Sequence, residues 1–229
     1  MKKLLIPSCI CSVIFLLYGF DRMLVGAKFE VVFKIASIGL LTVLAATAAP
    51  RRKLLILALA FSACGDLLLD IKSLGSLGPE QLFLCGLISF LIAHLFYVVL
   101  FARHRRPEMS AARKLACVIV LAVAFGSLGV LWPSLAEMRI PVLAYSVVLT
   151  AMAVSAQWSR FGSLVAVGAL SFVASDTMLA MSIFGHPFRG SWALVWITYY
   201  AAQVMIALGV LSYEESTVSS LNLGASFGK

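Results

Sequence analysis

The sequence predicts an all-α fold, a polytopic transmembrane helical bundle of about eight spans with both termini cytoplasmic. Composition is the first reason. The chain is 62% hydrophobic and 12% charged with a mean hydropathy of +1.04, whereas a soluble domain is about one quarter charged. The second reason is a series of apolar runs of spanning length. The third is that the basic residues behind the net charge of +8 cluster in short loops between these runs.

Eight apolar runs are long enough to be spans, and proline, glycine or basic clusters separate most of them. They cover about residues 4–20, 29–48, 54–71, 81–102, 115–132, 141–158, 162–184 and 191–212. The first run has no small-residue cleavage site after it, so it is predicted to be a retained helix. We therefore expect one transmembrane domain over residues 1–213 and a flexible, Ser- and Gly-rich cytoplasmic tail over residues 214–229.

The orientation follows from the lysines and arginines outside the runs. Twelve fall in one set of alternate loops and tails, and five fall in the opposite set. Basic loops stay in the cytoplasm, so both termini are predicted to be cytoplasmic, as an even number of spans requires. This distribution argues against a nucleic-acid partner and places the protein in a membrane, expected to be the bacterial cytoplasmic (inner) membrane.

The two halves of the chain carry a similar short motif. Residues Gly65 to Leu69 in the third run parallel Ser175 to Leu179 in the seventh run. Both runs are predicted to cross the membrane outward from the cytoplasm. A duplication of four-helix halves would therefore be a parallel repeat.

Ionisable residues inside the runs are the candidates for a functional site, because each costs at least about 2.5–3.5 kcal/mol at membrane depth. They are Lys34, Asp66, Asp70, His94 and Asp176, with Tyr97, Tyr199, Tyr200 and Gln203 as uncharged polar neighbours. At about 1.5 Å per residue, Asp66 and Asp176 lie roughly 18 and 21 Å from the cytoplasmic starts of their runs. We expect these two carboxylates to share one cavity.

Each candidate also has a purely structural interpretation. Asp66 would fit as a packing residue bonded to a neighbouring hydroxyl or to Lys34, and Asp176 has a similar alternative. Lys34 would suit a snorkelling residue, a counter-ion or a phosphate ligand. Asp70 fits the outer interface better than a catalytic role, and His94 is open between a core histidine and a site residue.

Several chemistries are excluded by the residues present. The chain has three histidines, and His104 and His186 lie in loops predicted on opposite sides of the membrane. A three-histidine zinc site inside the membrane is therefore not available. There is no G-x-S-x-G nucleophile motif and no P-loop. No metal or other cofactor is expected.

Four segments together resemble the YhhN family of membrane proteins, whose characterised members are lysoplasmalogenases. They are Cys64 to Leu69, Gly86 to Tyr97, Ser175 to Ala180, and Tyr199 to Gln203. The resemblance covers nearly the whole chain, including the number of helices and the order of the motifs. Lys34 is similar to the family's lysine in the second span, but Ile35 follows it where the family usually has proline.

The resemblance implies hydrolysis of the vinyl ether bond of a lysophospholipid, giving a fatty aldehyde and a glycerophospho-base. It also implies that Asp66 and Asp176 are the essential carboxylates. Vinyl ether hydrolysis needs a proton donor, a base that positions water and negative charge beside an oxocarbenium-like cation. Two carboxyl groups in one low-dielectric site meet this need when one is protonated and the other ionised. Which aspartate is the acid stays open at this point.

The remaining candidates are expected to bind or orient the substrate. His94 and Tyr97 would orient water or the glycerol oxygens, and Lys34 is a candidate for the phosphate. Asp70, Tyr199, Tyr200 and Gln203 complete this group. Two other functions use the same residues. Buried aspartates also serve as proton relays in small transporters or lipid flippases, and they hold helices together in structural membrane proteins.

Overall fold

The computed structural model describes residues 2–20, 28–71, 74–185 and 187–226, and eight α-helices lie within them. They follow the predicted runs one for one: α1 (Lys2–Phe20), α2 (Lys28–Ala48), α3 (Lys53–Asp70), α4 (Pro79–Arg103), α5 (Ala111–Leu131), α6 (Arg139–Gln157), α7 (Ser163–Phe184) and α8 (Ser191–Ser226). Two 3-10 turns, Trp132–Ser134 and Ala136–Met138, join α5 to α6. Arg22, Lys72, His186 and Lys229 lie outside the described residues.

Six helices of the described part are long and apolar enough to cross a membrane by length and composition. They are α2, α4, α5, α6, α7 and α8, so the prediction of an all-helical, multi-pass membrane protein is confirmed, and six of the eight predicted spans meet this criterion. The apolar part of α1, Lys3–Leu17, is shorter. The eighteen residues of α3 include three charged ones, Lys53, Asp66 and Asp70. α8 is helical to Ser226, beyond the domain boundary predicted at residue 213.

Large apolar side chains cover the outside of the bundle. An exposed one is found on every helix, as with Ile6, Val32, Leu57, Ile88, Phe125, Val147, Val167 and Ile197. Phe125 on α5 is 73% exposed. A surface of this kind is stable against lipid and costly against water, so the packing agrees with the composition.

Glycines allow two pairs of helices to approach closely. A Cβ atom on Gly65 of α3 would lie 2.6 Å from the Phe90 ring of α4, and one on Gly86 would lie 2.7 Å from Leu69. On the α7–α8 contact, a Cβ on Gly209 would lie 2.5 Å from Val165. Small residues at helix contacts are the usual means of close packing in membranes. The close α3–α4 contact fixes Asp66, the neighbour of Gly65, beside Phe90.

Four helix contacts of one half have counterparts in the other half, whereas the α5–α7 and α1–α8 contacts have no counterpart of similar extent. The α3–α4, α1–α2, α2–α3 and α2–α8 contacts correspond to the α7–α8, α5–α6, α6–α7 and α6–α4 contacts. Adding four to each helix number converts the first set into the second. For the α2–α8 contact the numbering restarts at α1 after α8, so this contact becomes α6–α4. This arrangement is the one that a parallel repeat of four-helix halves predicts.

One end of the bundle is held together by basic side chains. Arg106 Nε and Arg113 Nη1 donate hydrogen bonds to the carbonyl oxygens of Ser159 and Gln157, at 2.8 and 2.7 Å. Arg52 Nη1 and His104 Nε2 are 2.6 Å apart. These arginines belong to the set of loops predicted to be cytoplasmic. The cavity described next lies at the opposite end.

Candidate active site

A cavity of about 440 Å³ lies near the end of the bundle where α1, α3 and α7 finish and α2, α4, α6 and α8 begin. Asp66 and Asp176 both line it. Its other polar lining comes from Lys34, Asp70, Tyr145, Ser175, Ser182, Ser191, Trp192, Trp196 and Tyr199. Two aspartates from different helices therefore face one space, together with a lysine and two tyrosines.

Asp66 is held by a cation and a phenol. Lys34 Nζ is 3.5 Å from Asp66 Oδ1, and the hydroxyl of Tyr199 donates to Asp66 Oδ2 at 2.6 Å. Lys34 also pairs with Asp70, with 3.0 Å between Nζ and Oδ2, and lies 5.9 Å from the centre of the Trp196 ring. Lys34 is thus a counter-ion shared by two carboxylates. One positive charge between two negative ones leaves this cluster with net negative charge.

Asp176 has a different environment. The hydroxyl of Tyr145 donates a hydrogen bond to Asp176 Oδ2. Both ion pairs among the described residues belong to Lys34, and Asp176 takes part in neither. Its Oδ1 makes no hydrogen bond within the described residues, and this atom is not fully buried. Because Asp176 lines the cavity, this second oxygen is accessible from it.

The two pairs occupy matching places in the helices. Lys34 is the seventh residue of α2 and Tyr145 the seventh of α6, while Asp66 and Asp176 are each the fourteenth residue of α3 and α7. The repeat suggested by the sequence therefore relates Lys34–Asp66 to Tyr145–Asp176.

Four of the predicted site residues lie behind the cavity wall. His94 is 1% exposed, and its ring packs edge-on against Tyr145 at 5.4 Å between ring centres. Tyr97 donates to Gln203 Oε1 at 2.7 Å. Tyr200 stacks on Trp196 and shares a 2.6 Å hydrogen bond with Ser8. None of the four is in the cavity lining, whereas Lys34, Asp70 and Tyr199 are.

Tyr145, Trp192 and Trp196 also line the cavity and were not among the site residues predicted from the sequence. The sequence does contain a signal for Tyr145. The difference in residue number between Asp66 and Asp176 is the same as that between Lys34 and residue 144, which is next to Tyr145. The two tryptophans belong to the first turns of α8, where aromatic residues also suit the membrane interface. No local feature of the sequence distinguishes that role from lining a cavity.

A narrower apolar pocket of about 90 Å³ adjoins the cavity. The polar residues that line both are Asp176 and Tyr145, together with the apolar Leu69, Phe83, Phe90, Leu179 and Ile183, whereas Lys34, Asp66 and Asp70 line only the larger one. The walls found only in the smaller pocket are mostly apolar: Leu87, Leu128, Leu131, Val142, Leu149, Ala180 and Phe184, from α4, α5, α6 and α7. We call this pocket the apolar branch.

The YhhN family model matches residues 29–210, a range that contains every residue lining the cavity except Phe15 of α1. The chain belongs to the YhhN family. The relatives of this YhhN protein include the lysoplasmalogenase of Mycobacterium bovis, 35% identical over 193 residues that cover 80% of this chain and 70% of the relative. The pig lysoplasmalogenase TMEM86B is 36% identical over 157 residues, covering 67% and 61%.

The human lysoplasmalogenase TMEM86A is more distant, at 28% identity over 170 residues that cover 72% of this YhhN chain and 68% of the relative. No solved structure matches the chain.

Proposed function

We propose that this chain is an integral-membrane lysoplasmalogenase, a hydrolase that cleaves the vinyl ether bond of a lysophospholipid substrate taken from the membrane. The products are a fatty aldehyde and glycerophosphocholine or glycerophosphoethanolamine. One observation carries the proposal: Asp66 and Asp176 line one cavity in a chain that is 35% identical to a Mycobacterium bovis lysoplasmalogenase.

The cavity suits this chemistry. Hydrolysis passes through an oxocarbenium-like cation, so it needs a proton donor, a positioned water and nearby negative charge. The Lys34–Asp66–Asp70 cluster provides negative charge. Asp176 presents an oxygen to the cavity. Two carboxyl groups in one water-restricted site form the acid–base pair in our proposal.

His94, Tyr97, Tyr200 and Gln203 are assigned orienting roles from behind the wall. His94 packs against Tyr145, and Tyr200 stacks on Trp196. Gln203 lies one helical turn after Tyr199 and accepts a hydrogen bond from Tyr97. His94 and Tyr200 thus contact cavity residues, and Tyr97 acts through Gln203. Lys34 and Tyr199 hold Asp66 directly, and Asp70 holds Lys34.

In the membrane, the proposed arrangement has eight spans, both termini in the cytoplasm and a parallel repeat of four-helix halves. Residues 1–213 form the single transmembrane domain, and residues 214–229 form a cytoplasmic tail. The bacterial inner membrane is the proposed location. Support comes from eight helices in alternating directions and from the excess of basic residues at one end. Reporter fusions at each terminus test the orientation, and a periplasmic signal from either would contradict it.

The test of function is a panel of lysolipids given to the purified protein in detergent. The alkenyl, alkyl and acyl forms share a chain length and head group, so they differ only at the first bond of the chain. We expect aldehyde from the alkenyl form and no product from the other two. Equal consumption of the acyl form would exclude the proposal. Transport of labelled lysolipid in sealed vesicles without aldehyde would instead favour a flippase.

A further inference from the structure

The cavity has a polar side that includes Asp66 and Asp70, and an apolar side that Asp176 also lines. Lys34, Asp66 and Asp70 line only the main cavity, and the apolar branch begins where Asp176 and Tyr145 line both spaces. A lysolipid with a single chain matches this division. Its chain gains free energy in the apolar branch, and its glycerophospho group remains among the polar residues of the main cavity.

This placement sets the order of the reacting atoms. Along the substrate the order is alkyl chain, β-carbon, α-carbon, ether oxygen and glycerol. With the chain in the apolar branch, the β-carbon lies on the side of Asp176, and the α-carbon and ether oxygen lie toward Asp66. The carbon that must be protonated therefore faces the aspartate without a cation.

We propose that Asp176 is the acid that protonates the β-carbon and that Asp66 is the carboxylate that positions and deprotonates the attacking water. This assignment rests on the proposed function and goes beyond it by separating the two roles. It also assigns the apolar branch as the site of the alkenyl chain.

The partners of each carboxyl group support the same assignment. Both oxygens of Asp66 are engaged, one by the Lys34 ammonium and one by the Tyr199 hydroxyl. An ionised carboxylate is stabilised by such donors. Asp176 has a phenol on one oxygen and no cationic partner in the described part of the chain, and its other oxygen is accessible to substrate. A carboxyl group away from cations and bulk water favours its neutral form.

The steps balance. The Asp176 carboxyl proton is transferred to the β-carbon as the carbon–carbon double bond becomes a carbon–oxygen double bond in the oxocarbenium ion. Water adds to the α-carbon and gives a proton to Asp66, forming a hemiacetal. The bond between the α-carbon and the ether oxygen then breaks. The glycerol oxygen takes the proton from Asp66, and the hemiacetal hydroxyl returns one to Asp176.

Azide capture tests which aspartate acts at which step, because azide adds to the cation without needing a base. In Asp66→Ala the cation still forms, and Lys34 attracts the anion into the vacated place. We expect this variant to lose aldehyde formation but to give the azide adduct of the ether, detected by mass spectrometry. Asp176→Ala is expected to give neither product, because no cation forms.

An adduct from Asp176→Ala, or none from Asp66→Ala, would overturn the assignment. A wild-type protein that releases no aldehyde would instead refute the proposed function, so the two failures are distinguishable. Thermal unfolding in detergent shows whether each alanine variant is folded.

Two milder variants keep the test valid if an alanine variant does not fold. Tyr199→Phe removes the hydrogen bond that holds Asp66, so water is positioned less well. The ratio of azide adduct to aldehyde should therefore be higher than in the wild type. Tyr145→Phe weakens the environment of the acid, so the total rate should fall while the ratio of azide adduct to aldehyde is unchanged. The opposite pattern, or equal shifts of the ratio in both variants, would refute the separation of roles.

Discussion

The α2–α3 and α6–α7 contacts are built alike but carry different chemistry. Each places an aspartate at the fourteenth residue of one helix beside the seventh residue of the preceding helix. The neighbour of Asp66 is a lysine, whereas the neighbour of Asp176 is a tyrosine. A cation stabilises an ionised carboxylate and a phenol adds no charge. Two equivalent positions thus provide the unlike carboxyl groups that one acid–base reaction needs.

Replacing either aspartate should give the largest effect, because it removes one of the two carboxyl groups being compared. We expect Asp66→Asn and Asp176→Asn each to lower kcat for a vinyl ether lysolipid by about 10²–10⁴-fold, the range for losing general acid–base catalysis. Aldehyde release measures the effect. Glu108→Gln is the matched control. It also removes one negative charge, but in the exposed loop after α4, so its kcat should equal that of the wild type. Near-wild-type turnover by either asparagine variant would rule out the pair.

Removing Lys34 should affect folding more than removing the Tyr145 hydroxyl. We expect Lys34→Met to lower the free energy of unfolding by about 3 kcal/mol, because it leaves two carboxylates without their counter-ion. Tyr145→Phe should cost about 1 kcal/mol, the value of one hydrogen bond. Unfolding in detergent measures both. The double variant Lys34→Met/Asp66→Asn should regain part of the loss, and a purely additive result would contradict the coupling.

Filling the apolar branch should separate chain binding from chemistry. Ala180→Trp removes space for two or three methylene groups, each worth about 0.8 kcal/mol. The KM for long-chain substrates should therefore rise about tenfold or more, with little change for a short chain. Leu121→Trp on the exposed side of α5 is the matched control. A rise in KM that is the same for all chain lengths would place the chain elsewhere.

The smallest effect should come from Tyr200, which lies behind the cavity. Tyr200→Phe removes its hydrogen bond to Ser8 but keeps the stacking on Trp196. We expect kcat within about threefold of the wild type and a loss of about 1 kcal/mol in unfolding free energy. Steady-state kinetics and thermal unfolding check this. A hundredfold drop in kcat would mean that Tyr200 contacts the substrate.

Helix positions and the matching places of Asp66 and Asp176 along their helices were predictable because both depend on local composition. Each apolar run became one helix, and Asp66 and Asp176 both reached one cavity. The hydrogen-bond and ion-pair partners of the aspartates were harder to predict from the sequence. From the sequence, Lys34 was open between a snorkelling residue, a counter-ion and a phosphate ligand, and the structure places it between Asp66 and Asp70.

His94 and Tyr145 show why the other cavity-lining residues could not be predicted from the sequence. A histidine in mid-span was a stronger candidate than a tyrosine, because an ionisable group at that depth is costly. Which one lines the cavity depends on how α4 and α6 are rotated about their axes. That rotation is set by packing among several helices, as at Gly65 and Phe90, and it leaves little trace in either helix alone.

The position of the cavity decides where the products go. It lies at the end of the bundle away from the arginine-rich loops, so in the proposed orientation it draws lysolipid from the outer leaflet. The aldehyde, as an apolar chain, stays in the bilayer and can cross to the cytoplasm. In the same orientation the charged glycerophosphodiester is released on the outer side, and it does not cross the bilayer unaided.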